Sequence, residues 1–318
     1  MFPASLRQVV TRCAVWLLAA CGLLLAPGRA SAIGWDNDDF LIGGGTGFLS
    51  KIGVFDHDLT FKGYLESNFI TVAGMDFDAA GHLVAVASGN VRSVRVYDSS
   101  GAIVGGFTRN DDLLGTSNDL KTAPSGDYVV ATQNFGGGDG ARQFATDGSF
   151  VRQYASGRVT AVSILPGNLL WVGGIGTGPI SVFDVATGVP LGTVSVATVN
   201  SINSMTYSSA SNSVLIATIG NRVVEASVTG DFIRTFTAPS NVGISAVTRG
   251  PDGDVFATAA DQTVLRWHAD GQFVAAVSTA SALGGASGIV WAGVVPEPEL
   301  GVSAAIAVFL LWRRVRSG

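Results

Sequence analysis

The chain has 318 residues, 47% hydrophobic and only 14% charged, with 42 glycines against 10 prolines and a net charge of −5. That is too apolar and too sparsely charged for a disordered protein, and the glycines lack the every-third-residue period of collagen. The length accommodates one large all-β domain or two ordinary ones.

Residues 1–32 are organised as a secretory signal. Arg7 and Arg12 give a positive start, residues 13–26 an apolar run, and Pro27 a helix break. Ala30-Ser31-Ala32 then offers signal peptidase a small-x-small site, with cleavage before Ile33. The apolar run of 14 residues is shorter than the ~20 that span a bilayer, which favours cleavage over a retained anchor. Leu18-Ala19-Ala20-Cys21 also resembles the lipobox of bacterial lipoproteins, whose cysteine is acylated. Against that alternative, the run stays apolar through Leu25, where a lipoprotein turns polar. Cys13 and Cys21 are the chain's two cysteines, so cleavage after Ala32 removes every thiol, disulfide and cysteine metal ligand. Residues 33–38 are a lead-in. Asp36-Asn37-Asp38-Asp39 could offer oxygens to Ca²⁺, but it lacks the glycine and distal glutamate of an EF-hand loop, and a solvated segment is expected.

From residue 39 the chain repeats. Five segments, starting at Val72, Asn118, Thr160, Asn203 and Ser245, each place a tight turn between two apolar runs, and their starts step by 46, 42, 43 and 42 residues. A second turn follows in each unit, as in Asp98-Ser99-Ser100-Gly101, Asp147-Gly148 and Asp270-Gly271. Such pairs favour hairpins because glycine tolerates positive φ. Each unit therefore holds four short strands, and a four-stranded unit of 40–45 residues is the signature of a propeller blade. Three strand-like runs (40–43, 51–56 and 61–65) precede the first full unit, and one run (287–293) follows the last. Together they make one more blade. The expected fold is all-β, a six-bladed propeller over residues 39–293 closed by a blade drawn from both ends. The pattern resembles the NHL and YVTN class of propellers in architecture, without a family-specific signature.

Register stacks Met75, Leu120, Val162, Met205, Val247 and Ile289 at one apolar position, expected to form the core between blades. Two residues earlier stand Ala73, Asn118, Thr160, Asn203, Ser245 and Ser287. In a propeller the first strand lines the axis, so the five polar members form a candidate channel ring, either water-lined or ligand-binding. Asn118 and Asn203, counted on blades two and five, are expected to face each other across it. His57, His82 and His268 fall in different blades at or near turns, without metal-ligand spacing, and are expected at the surface. Gly136-Gly137-Gly138-Asp139-Gly140 reads as a loop tip, and no P-loop, HExxH or G-x-S-x-G is present.

The last 25 residues form a tripartite tail. Val295-Pro296-Glu297-Pro298 precedes an apolar stretch, 300–312, and then Arg313, Arg314 and Arg316. The prolines cannot continue a strand or helix, and an apolar stretch of 13 residues ahead of arginines suits either transient membrane entry or an ordinary C-terminal anchor, with the arginines on the cytoplasmic side. This order resembles the PEP-CTERM sorting signal of Gram-negative bacteria, over residues 294–318. Glu299 departs from the small or hydroxyl residue common there. The resemblance implies processing by an exosortase, transient contact with the inner membrane, and delivery to the cell surface.

Without its two ends the body carries about −9, since six of the 19 basic residues but only two of the 24 acidic ones lie in them. Such a domain repels phosphate backbones, which argues against nucleic-acid partners. The expected function is a surface or matrix module that binds a polysaccharide or protein, with no cofactor implied and no catalytic set in view. The alternative is a metal-dependent hydrolase resembling the gluconolactonase-like propellers, with a divalent metal in the channel held by Asn118 and Asn203 and with Asp119 nearby. The glutamate those enzymes place first in the channel has no counterpart, since Ala73 stands there.

Overall fold

The computed structural model describes residues 33–293 except 47–48, 70, 88–91, 110, 112, 115, 134–138 and 177. Among the described residues, twenty-four strands form six four-stranded antiparallel sheets. The first sheet is composite: β24 (Gly288–Trp291) pairs with β1 (Phe40–Thr46), followed by β2 (Leu49–Phe55) and β3 (Phe61–Phe69). The innermost strands of the other five are β4 (Val72–Phe77), β8 (Thr116–Thr122), β12 (Val159–Leu165), β16 (Ile202–Ser208) and β20 (Ile244–Arg249). Their outermost strands are β7 (Ile103–Arg109), β11 (Phe150–Ser156), β15 (Pro190–Val194), β19 (Phe232–Thr237) and β23 (Phe273–Ser278). A single helical turn, α1 (Ala280–Leu283), leads from β23 towards β24 and buries Leu283. The six-bladed architecture and its closure by strand one from the C-terminal side are as the repeat arithmetic expects.

Hairpin geometry fixes the two faces of the disc. Innermost strands run from one face to the other, so the turns joining strands one and two, and three and four, share a face. The remaining connections lie on the opposite face. The turn glycines earn their place by backbone conformation and by crowding: Gly148 sits at φ +83°, and a Cβ there would come within 2.5 Å of Phe107 in the neighbouring blade.

Side chains alternate along each strand, so every blade offers one apolar face to each neighbour. Six hydrophobic clusters result, one in each gap between blades. Met75, Leu120, Val162, Met205, Val247 and Ile289 are all buried in them. The closing blade contributes to two clusters. Phe40 stacks on Phe256 of the sixth blade at 4.4 Å, while Leu41, Ile52 and Val54 pack against Leu83 and Ala85 of the second.

Candidate functional site

The axis is built from five β-bulges. The register of the innermost strand breaks in each full blade at Ala73, Asn118, Thr160, Asn203 or Ser245. A bulged residue has no partner opposite it, so its side chain turns aside from the ladder. The innermost strand is also a sheet edge, whose carbonyls lack ladder partners and need donors. The ring supplies some of them. The Asn203 amide donates to the Ile244 carbonyl of the next blade at 2.6 Å, and the Thr160 hydroxyl donates to Ile202 in the same way. The Ser287 hydroxyl donates to Val72 at 2.7 Å. In all three the acceptor is the residue just before the next blade's bulge. Asn118 is half-buried and bonds weakly to Thr116 of its own strand, at 3.4 Å.

Asn118, Ser245, Ser287 and Ala73 line one axial cavity, whereas Thr160 and Asn203 are held between blades. Asn118 lies in the third sheet and Asn203 in the fifth, so they do not oppose each other. With the composite blade counted first, β4–β7 is the second blade, so the expectation set Asn118 one blade too early while Asn203 stands on the fifth as expected. The cavity holds about 20 Å³, room for roughly one water.

Among the described residues, the charged groups at the axis are Asp76, Asp119 and Lys121. The Lys121 ammonium lies 3.1 Å from Asp119 and also donates to the Leu120 carbonyl at 3.0 Å. Asp119 accepts the backbone N–H of Leu120 at 2.9 Å and, across the blade gap, that of Val162 at 3.3 Å. Asp76 accepts the N–H of Thr122 from the third blade at 2.8 Å. Asp119 and Lys121 are buried, while Asp76 keeps some contact with solvent. Burial pushes both carboxyls above the ordinary aspartate range, against the pull of Lys121. Burial alone would lower Lys121, but the two carboxylates outweigh it and the net shift is upward. The sequence reading mentioned Asp119 only beside Asn118 and missed both Lys121 and Asp76. Asp76 and Lys121 share one position of the repeat, where three other units carry the hydroxyl residues Ser163, Thr206 and Thr248.

The remaining candidates resolve into local roles. Lys62 donates to Asp36 at 2.9 Å and to Asp39 at 2.7 Å, and those hydrogen bonds raise its pKa. An ammonium thus occupies the middle of the acidic lead-in, and Asp39 is buried rather than solvated. His82 pairs with Asp78 at 3.0 Å, His268 with Asp254 at 3.2 Å, and His57 with Asp58 at 3.2 Å, each in its own blade. Residues 136–138 lie outside the described residues. So do Ala30 and Ala32 of the cleavage site, and Val295, Pro296, Glu297, Pro298, Arg313, Arg314 and Arg316 of the tail.

A second repeated feature lies on the circumference. Every outermost strand carries a bulge at its second residue. The bulged residues are Lys62, Val104, Val151, Leu191, Ile233 and Val274, so five of the six are apolar, and those five are exposed. Bulges twist a sheet edge out of register with an incoming strand, which protects a disc with six open edges. Two consecutive apolar residues after the second turn, as in Ile103-Val104 and Phe232-Ile233, break the period-two alternation and would have revealed it.

The architecture is thus a six-bladed β-propeller with a narrow, charge-paired axis. It is similar in fold to a chain of the nidogen/laminin complex, with a TM-score of 0.63 at 13% identity over 79% of this chain and 97% of that one. It is likewise similar to a protein of unknown function from Bacteroides caccae (0.60, 12%, 80% and 98%). The β-propeller domain of Myceliophteria thermophila Cps50 (Swd1) gives 0.56 at 12% identity over 77% and 87%. No family model and no curated protein matches the chain.

Proposed function

We propose that this is an exported surface or matrix protein whose propeller acts as a binding or structural module. Its N-terminal signal would direct export, and its tail would direct sorting by an exosortase through the inner membrane. The observation that carries the modular reading is the axis. Its space admits about one water, and its ion pair is internally satisfied, so contact with polysaccharide or protein falls to the faces and the rim. The fold likeness to a chain from a protein–protein complex supports the same reading.

The residues present do not fit the divalent metal of the hydrolase alternative. An ammonium already stands against Asp119, and Asn203 is committed to Ile244. Lactone turnover with added Mg²⁺, Ca²⁺ or Zn²⁺, lost in Asp119→Ala, would restore that alternative. For the sorting reading, deletion of residues 296–318 should leave the melting temperature unchanged and abolish surface delivery in a host with an exosortase. Unfolding on truncation, or unchanged delivery, would overturn it.

A further inference from the structure

Between the second and third blades the rim opens into a cleft of about 410 Å³, against about 20 Å³ at the axis. That lies within the ~300–1,000 Å³ of small-molecule sites. One wall is the end of β7, from Phe107 to Arg109, with Asp111 just beyond it, and the other is the turn Asp147–Ser149 that leads into β11. Arg109 locks the two walls together. Its Nε donates to one Asp111 oxygen at 2.8 Å, one terminal nitrogen to the other Asp111 oxygen, and the second terminal nitrogen to the Gly148 carbonyl across the gap. The guanidinium also lies over the Phe144 ring of the third blade, 5.5 Å from its centre.

Defined groups are left over at the cleft. A guanidinium carries five N–H groups, and three of those of Arg109 are used, so two remain to donate. Asp147 accepts the Ser149 N–H at 2.8 Å, and hydrogen bonds from Ser149 hold its carboxyl below the ordinary aspartate range. It therefore stands ionised and exposed, as an acceptor. Phe150 follows at once and is 43% exposed. It lies opposite Phe144 in the strand pairing, so both rings share the side of the sheet that meets the second blade. Phe144 is 6.1 Å from Phe150 and 5.9 Å from Phe107, which sets the exposed ring at the border of the cleft.

The chemistry of these walls selects among ligands. With Arg109 set against Asp111 and Asp147, the lining is net negative and repels an anion. A divalent cation finds few ligands, because both Asp111 oxygens already hold Arg109. The bulges at Val104 and Val151 deny an extended peptide a regular edge to pair with. A sugar ring suits what remains: a face of C–H groups for an aromatic ring, and a circumference of hydroxyls that both donate and accept. We infer that the cleft is a saccharide site for a short stretch of neutral polysaccharide, with Phe150 beneath a sugar ring, Asp147 accepting from its hydroxyls and Arg109 donating to them. This rests on the modular reading above and gives that module a ligand class and a place. Arg109 is already fixed by Asp111 and Gly148, so little side-chain freedom is lost on binding.

The test is titration of the full chain, in a detergent without a sugar headgroup, with neutral oligomers of glucose, mannose and N-acetylglucosamine and with polygalacturonate and unfolded casein for comparison. A neutral oligomer should bind without being cleaved, and polygalacturonate and casein should bind more weakly. Phe150→Ala should weaken that binding by about tenfold, and Asp147→Asn, which keeps the turn's acceptor oxygen, by about fivefold, both at an unchanged melting temperature. Phe232 opens β19 as Phe150 opens β11 and is 47% exposed, but it borders no such cleft, so Phe232→Ala should bind as the parent does. No binding of any neutral oligomer, preference for polygalacturonate, or equal loss in the two phenylalanine variants overturns the inference. Sugar binding that survives both Phe150→Ala and Asp147→Asn, or a Phe150-dependent signal from casein instead, also overturns it and leaves the modular reading standing. Cleavage of a bound oligomer overturns both.

Discussion

Replacing Lys121 with methionine isolates what holds the axis. Methionine keeps most of the side-chain length and removes the charge, leaving Asp119 and Asp76 without their cation in a space that admits about one water. Asp119 retains its two backbone donors, at 2.9 and 3.3 Å, but these do not neutralise it. Removing one partner of a buried pair typically costs about 3–5 kcal/mol. For a domain of this size that is a fall in melting temperature of roughly 6–12 °C, at somewhat more than 2 °C per kcal/mol. The loss should also depend on pH in a definite sense. Both carboxyls have folded-state pKa values above the unfolded ones, so each contributes stability that is complete at acid pH and is lost as pH rises through the folded value. In Lys121→Met those values rise further, so the deficit should be small near pH 4 and grow towards neutrality. Thermal melts of parent, Lys121→Met, Asp119→Asn and the double variant from pH 4 to 8 complete the cycle. The double variant should recover part of the loss. A Lys121→Met cost below about 1 kcal/mol, the same at every pH, would show that the ion pair does not carry the axis.

Two further outcomes follow from the same geometry. Removing residues 287–293 takes away β24, opens the gaps on both sides of the first blade and exposes Phe40 and Leu41. Each large side chain uncovered loses ~1.5–3 kcal/mol, so the shortened body should unfold at room temperature by circular dichroism, and a parental melt would refute closure by this strand. Asn203→Ala and Thr160→Ala should each cost about 0.5–1.5 kcal/mol, as inter-blade hydrogen bonds do. Titration calorimetry with Ca²⁺, Mg²⁺ and Zn²⁺ should give no heat on the parent, and a stoichiometric signal abolished by these changes would make the ring a ligand site.

Much of the architecture is written locally. Hairpins join strands that are neighbours in sequence, so turn chemistry and a period of 42–46 residues suffice to count blades. Three runs before the first unit and one after the last leave a single way to complete a blade, and the pairing of β1 with β24 follows it. The apolar stack from Met75 to Ile289 was legible for the same reason. One position repeated in every unit must meet the same surroundings.

The axis was not legible, because its chemistry lies between units. Asp76 and Thr122 are 46 residues apart, and Asp119 and Val162 are 43 apart. Each pair meets only because successive innermost strands stand side by side around the axis. Nothing local to either strand indicates that a bulge will turn Thr160 or Asn203 towards the next blade's carbonyl, since bulges depend on how two paired strands accommodate their twist. The outer bulges that leave Val104, Val151, Leu191, Ile233 and Val274 exposed differ, because a break in the period-two alternation after the second turn marks them in the sequence. Composition and spacing set the number of blades and the order of their strands. Which side chains meet across a gap, and therefore that an ammonium rather than an open channel sits at the centre, was decided by blades that pack at close quarters on both sides.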